Sequence, residues 1–308
     1  MLPSSVAEVA GTYSRLVDEL VVEAMAVLDQ ALSRGRSSPE AWRDAVQAIG
    51  DRLLALQVTA ASYADPYLND VLDAQDTDPV ADAVVQPAAF ADTTDGGGSW
   101  LQGLVFAPNS VREPGVEWAS RFAFVARSIT ATGITDVARG SVQAGMQARP
   151  ATRWYVRMLT GKSCARCAIL AGRQYRSSVA FKRHRRCDCR VVPAAESVRD
   201  WTVDPDEYFR SLTTEEQDER FGKANAEAIR LGADVAQVVN AESGVYVASA
   251  HGREYLATTT GTTRRGLAGQ RLDGAARLLP DEIFLQAERL GWDREEILAQ
   301  LRRNAYLI

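Results

Sequence analysis

All four cysteines of this chain, and one of its two histidines, fall within 26 residues. Cys164, Cys167, His184, Cys187 and Cys189 read C-x2-C-x16-H-x2-C-x-C. A thiolate pair two residues apart grips one metal ion from a tight turn. A second pair from a distant hairpin completes a tetrahedron. Zinc suits such a site because it imposes no strong geometry of its own and binds both thiolate and imidazole. Five candidates compete for four places. Cys187 and Cys189 in extended chain share one face, so both bind and His184 is released. A turn or bulge at Asp188 splits them instead and gives His184 the fourth place. Both arrangements stay open, so all five residues are candidate ligands of a structural Zn²⁺. The competing readings are thiols packed in a core and disulfides, the latter disfavoured in a reducing compartment. A nucleophile would be a single activated thiol beside a base, which a cluster of four is not.

Lys182, Arg183, Arg185, Arg186 and Arg190 surround this motif. They belong to a wider asymmetry. Residues 149–190 hold twelve Lys/Arg and one acid, Asp188, whereas residues 53–111 hold eight Asp and no Lys, Arg or Glu. The net charge of −5 is the average of these opposites. Segregated charge points to a charged partner, nucleic acid or an acidic surface, with the five basic residues as its contacts. The alternative is that the two segments neutralise each other within one fold. No base-reading helix is evident, so contact with nucleic acid is expected to be nonspecific.

The elements that must position the motif are mostly helices. Val6, Val9, Tyr13, Leu16, Leu20, Ala24, Val27 and Leu28 recur at three- and four-residue steps, and the stripe stops near Ser33–Gly35. A second helix opens either with Ser38 as cap and Pro39 at its first position, or with Ser37 as cap and Glu40 in a capping box. Trp42, Val46, Ile49, Leu53 and Leu56 form its stripe. Residues 1–62 thus read as a helical hairpin. Residues 63–114, rich in Asp, Pro and Gly, read as an irregular acidic connection whose Tyr67, Phe90, Trp100 and Leu104 pack onto the body or a partner. Residues 115–150 return to helix, with Gly133, Gly140 and Gly145 as points of interruption and Pro150 as the stop. Residues 151–196 form a small zinc-ribbon-like Cys/His module, expected to fold on its metal.

Residues 197–308 make a small C-terminal α/β region. Thr213 and Glu216 open a helix that runs to Gly232. Val245–Ser249 and Glu254–Thr258 form a hairpin, and Pro280, Gly291 and Asp293 delimit a final helix pair. The helix pair carries too many acids to read DNA and is expected to dock protein. The fold class is therefore mainly α with a small α+β part. At 308 residues, 46% hydrophobic and 24% charged, the chain can bury cores. No apolar run approaches a membrane span of roughly 18–20 residues. The first twenty residues lack the basic and apolar regions of a secretory leader, so assembly in a reducing cytoplasm is expected.

C-A-R-C-A-I-L-A-G-R-Q-Y followed by F-K-R-H-R-R-C-D-C-R-V-V-P resembles the C-x2-C…H-x2-C-x-C…P signature of the phage Mu F-like minor head proteins. The resemblance is strongest over residues 153–193, and the tail after Pro193 is similar to the actinobacterial phage branch. One departure is Arg185, where the family pattern carries Pro after the histidine. The resemblance implies a non-enzymatic minor capsid protein in the phage head. It further implies association with the portal, with major capsid or scaffold protein as further partners, and a role in head assembly or DNA packaging and ejection. No membrane partner is expected, since no apolar run is long enough to span one. The runner-up is a capsid maturation protease. That reading would need His251 or His184 as base. Ser249-Ala250-His251 carries no G-x-S-x-G elbow, and His251 reads better as a hairpin-turn residue.

Overall fold

The computed structural model describes residues 2–35, 37–94, 96–110, 118–159, 163–179, 189–195, 201, 203–250, 253–263 and 266–307. The protein is mainly helical, with two small three-stranded antiparallel sheets among the described residues. Its chain divides into two compact units. One holds residues 1–160 and 172–202, the other residues 161–171 and 203–308. Among the described residues no helix is long and apolar enough to cross a membrane.

The first unit is built on three long helices: α1 (Ser4–Gly35), α2 (Pro39–Ser62) and α5 (Trp118–Gln147). The expected stripe of α1 is buried at Val6, Tyr13, Leu20, Ala24, Val27 and Leu28, but the inward position beside it is Val17, and Leu16 faces out. Ser38 caps α2, its hydroxyl accepting from the Ala41 N–H, with Pro39 at the first helical position. The Ser38 alternative is thus the one formed. Trp42, Val46, Ile49, Leu53 and Leu56 are all buried.

The stretch expected to be irregular carries two further helices, α3 (Ala64–Asp73) and α4 (Trp100–Val105). It packs onto the body of its own unit. The Trp42 indole N–H donates to the Leu104 carbonyl at 2.8 Å, and Gln57 donates to the carbonyls of Thr93 and Gly133. The glycines of α5 do not interrupt it. Gly133 is where the buried Trp100 ring lies against the helix, and a side chain there would enter the indole. Close approach, not flexibility, accounts for that glycine.

Strands β1 (Trp154–Met158), β2 (Gln174–Arg176) and β3 (Arg190–Ala194) form a sheet in the order β2-β1-β3. Tyr155, Val156, Val191, Val192 and Ala194 belong to the same apolar core as the long helices. The strands flanking the cysteine motif are therefore not a free-standing miniature ribbon. Helix packing supports them.

The second unit contains α6 (Ala165–Ala168), α7 (Pro205–Ser211), α8 (Thr214–Phe221), α9 (Lys223–Arg230) and α10 (Val235–Ala241). It continues with β4 (Val245–Ala250), β5 (Arg253–Thr258), α11 (Leu267–Leu272), β6 (Arg277–Leu278), α12 (Pro280–Leu290) and α13 (Arg294–Arg303). The capping boxes at Thr213/Glu216 and Asp293/Glu296 form, and Gly291 takes the left-handed conformation (φ 67°) that ends α12. The single helix expected up to Gly232 is broken at Gly222 (φ 84°) into α8 and α9. Helices α7 and α10 and strand β6 had no clear sequence signal. Phe209, Phe221, Ile229, Val238, Ile283, Leu301 and Tyr306 make a separate core, so the terminal helix pair buries its inner face within its own unit. Beneath it the buried Arg277 donates to the carbonyls of Thr260 and Asn304 and lies 4.4 Å from the Tyr306 ring centroid.

Candidate functional site

Cys164 and Cys167 stand on one turn. Cys164 precedes α6, and its carbonyl accepts from the N–H groups of Cys167 (2.9 Å) and Ala168 (3.1 Å). This folds the chain back and brings the two sulfurs to 3.6 Å. A disulfide needs about 2.05 Å, so the two are not bonded to each other. Two sulfurs each about 2.3 Å from a tetrahedral zinc lie about 3.8 Å apart. The pair thus has the separation of a metal knuckle. Cys167 is buried and Cys164 partly so. Arg166, between them, faces out and donates to the Ser243 hydroxyl at 2.9 Å.

Cys189 lies in the other unit, one residue before β3. It is buried, and its sulfur accepts from Nη2 of the buried Arg157 on β1 at 3.6 Å. The Cys189 carbonyl accepts from Nη1 of Arg139 at 3.2 Å, and Arg139 is itself paired with Asp136 one turn earlier on α5. Two guanidinium groups therefore fix this cysteine, and positive charge beside sulfur is the polarity that a thiolate ligand needs. His184 and Cys187 lie outside the described residues, as do Lys182, Arg183, Arg185, Arg186 and His251. Among the described residues no three Cys, His, Asp or Glu side chains are grouped to hold a metal.

Arg190 corrects the expectation of a surface contact. It is 1% exposed, and its Nη2 pairs with Asp18 of α1 at 2.6 Å. A cation enclosed in this way is spent on holding β3 to the helices, not on phosphate. The same region carries a tyrosine pair that the sequence did not flag. Tyr13 and Tyr67 stack with ring centroids 4.0 Å apart. Tyr13 donates to the Ala138 carbonyl, and Tyr67 to that of Val191. Burial pushes both phenols well above their ordinary range, with nearby Arg190 pulling the other way.

The charge segregation is partly resolved inside the fold. Arg149, from the basic stretch, pairs with Asp65 of the acidic one at 2.9 Å, and also donates to Asn69 and to the Gly145 carbonyl. Asp65 uses its other oxygen to accept from the Val85 N–H. Other basic residues of that stretch, Arg153, Arg173 and Arg176, remain exposed.

A family model described as VG15 protein matches residues 5–214, more than two thirds of the chain. The chain belongs to the VG15 protein family. It is accordingly a phage-encoded protein. The match takes in both cysteine pairs and the long helices, and stops just inside α8. No curated protein and no solved structure matches the chain.

Proposed function

We propose that this member of the VG15 protein family is a structural minor head protein of a tailed phage. It is associated with the portal inside the head and acts in head assembly or in DNA packaging and ejection. The observation that carries the reading is family membership across the helices and the cysteine motif together, beside the motif's resemblance to the Mu F-like signature. The geometry is in keeping with a scaffold. Around β3, buried arginines are bound to Asp18, Asp136 and backbone carbonyls, holding strand to helix.

The proposal includes one structural Zn²⁺. Cys164 and Cys167 form one half of its ligand set, on the strength of their 3.6 Å separation. The second half is drawn from His184, Cys187 and Cys189, on the strength of spacing. The metal would act structurally, with no step of chemistry routed through it.

Purified virions and empty heads decide the functional reading. The protein should be detected by mass spectrometry in both, at low copy, and should co-purify with portal protein when the two are co-expressed. Its absence from heads would overturn the reading. So would specific cleavage of co-expressed major capsid protein that disappears in His251→Ala, the outcome expected of a maturation protease.

A further inference from the structure

An open cavity of about 510 Å³ lies where the end of α5 meets β1 and β2. Arg149, Arg153, Trp154, Arg176, Ser177 and Ser178 contribute to its walls, and no carboxylate does. Arg149 is committed to Asp65, Asn69 and the Gly145 carbonyl and serves as floor. Arg153 and Arg176 differ. Both are exposed, and neither makes an ion pair among the described residues. The antiparallel register sets Trp154 directly opposite Arg176, and the guanidinium carbon lies 5.3 Å from the indole ring. Such packing fixes a guanidinium while leaving its N–H donors, which lie in its own plane, available. The Ser177 N–H donates to the Arg153 carbonyl at 3.0 Å, which draws the serine turn beside both arginines.

We infer that this groove binds the phosphodiester backbone of nucleic acid without regard to sequence. Two exposed guanidiniums, one of them held against an indole, and two serine hydroxyls, with no acid in the walls to repel an anion, match the chemistry of backbone binding. A pocket of this volume accommodates a group the size of one nucleotide. An acidic peptide would satisfy the arginines but would make no use of an aromatic wall. The inference deepens the head-protein reading, which supplies a source of DNA. Virion location and DNA binding are measured separately, so either can fail alone.

The test is fluorescence anisotropy of the full chain with labelled random-sequence DNA, single- and double-stranded, over a series of salt concentrations. Arg153→Gln with Arg176→Gln should weaken binding at least tenfold at low salt and should lower the salt slope by about two. Arg176 also braces Trp154, so the single Arg153→Gln change, at an exposed position that holds nothing else, serves as the second variant. It should lower the slope by about one, with unchanged circular dichroism. Unchanged affinity and slope in Arg153→Gln would overturn the assignment. So would no binding by the parent chain, or competition by poly-glutamate as effective as that by oligonucleotide of equal charge.

Discussion

Cys164 and Cys167 owe their geometry to two backbone hydrogen bonds from one turn, so metal is not needed to bring their sulfurs to 3.6 Å. What metal adds is affinity for a second pair. Elemental analysis of protein purified under reducing conditions should find one zinc per chain, and Cys164→Ser or Cys167→Ser should abolish it. In His184→Ala an undiminished zinc content would assign the second pair to Cys187 and Cys189. Strands β1 and β3 should survive metal loss, because their buried residues belong to the helical core. Intact thiols without zinc in a folded parent chain would make these cysteines packing residues. Gly133 is constrained by packing rather than by helix propensity. Glycine to alanine in a helix ordinarily gains about 1 kcal/mol. Here the new methyl group would enter the Trp100 ring, which is 1% exposed and tethered by its N–H to the Ile129 carbonyl at 3.0 Å. Overpacking of this kind costs roughly 1–3 kcal/mol and outweighs the helical gain. Gly133→Ala should therefore lower the urea midpoint, and a raised midpoint would refute the packing argument.

The Tyr13–Tyr67 stack joins α1 and α3 and reaches α5 and β3 through its two hydroxyls. Both phenols are buried and neutral, and their folded-state affinity for the proton exceeds that of an unfolded tyrosine. The stability this confers is full below the ordinary phenol value of about 10 and is lost as pH rises above it. Tyrosinate absorbance should show Tyr13 and Tyr67 titrating late, together with loss of helix, beside Tyr306 of the second unit, whose phenol burial pushes up to about 12, and in Tyr13→Phe with Tyr67→Phe the late phase should shrink to the share of Tyr306. Ordinary titration of all tyrosines in a still-folded chain would contradict it. None of this was legible in the sequence. Periodicity marks a residue as inward-facing but does not name the carbonyl its hydroxyl meets. The same limit explains the other differences. The α1 and α2 stripes and three of the caps were readable because they depend on neighbours three or four residues away. Helices α3 and α4 were hidden in an Asp-, Pro- and Gly-rich stretch because Trp100, Leu104 and Tyr67 are anchored by partners far along the chain. The cysteine motif was conspicuous from spacing alone, whereas Arg157 and Arg139, which hold Cys189, lie 32 and 50 residues from it.

At the scale of the whole molecule, the two units have apolar cores that share no residue. Core packing is short-ranged, and a substitution inside one core is felt mainly by atoms in contact with it. The tryptophans make the units separately visible. Five of six, Trp42, Trp100, Trp118, Trp154 and Trp201, fall in the first unit, and Trp292 alone falls in the second. Indole fluorescence thus reports chiefly on the first unit, while far-ultraviolet circular dichroism sums the helices of both. Leu301 is fully buried among the second unit's core residues, and its truncation to alanine should cost that core about 2–5 kcal/mol. Leu301→Ala should therefore move part of the dichroism transition to lower urea while the main fluorescence transition stays in place, a departure from two-state behaviour of the kind that separate cores produce. Gly133→Ala should do the reverse, shifting fluorescence and leaving the α7–α13 share of the dichroism where it was. If either substitution moves both signals by the same amount, the molecule unfolds as one cooperative body and the prediction fails.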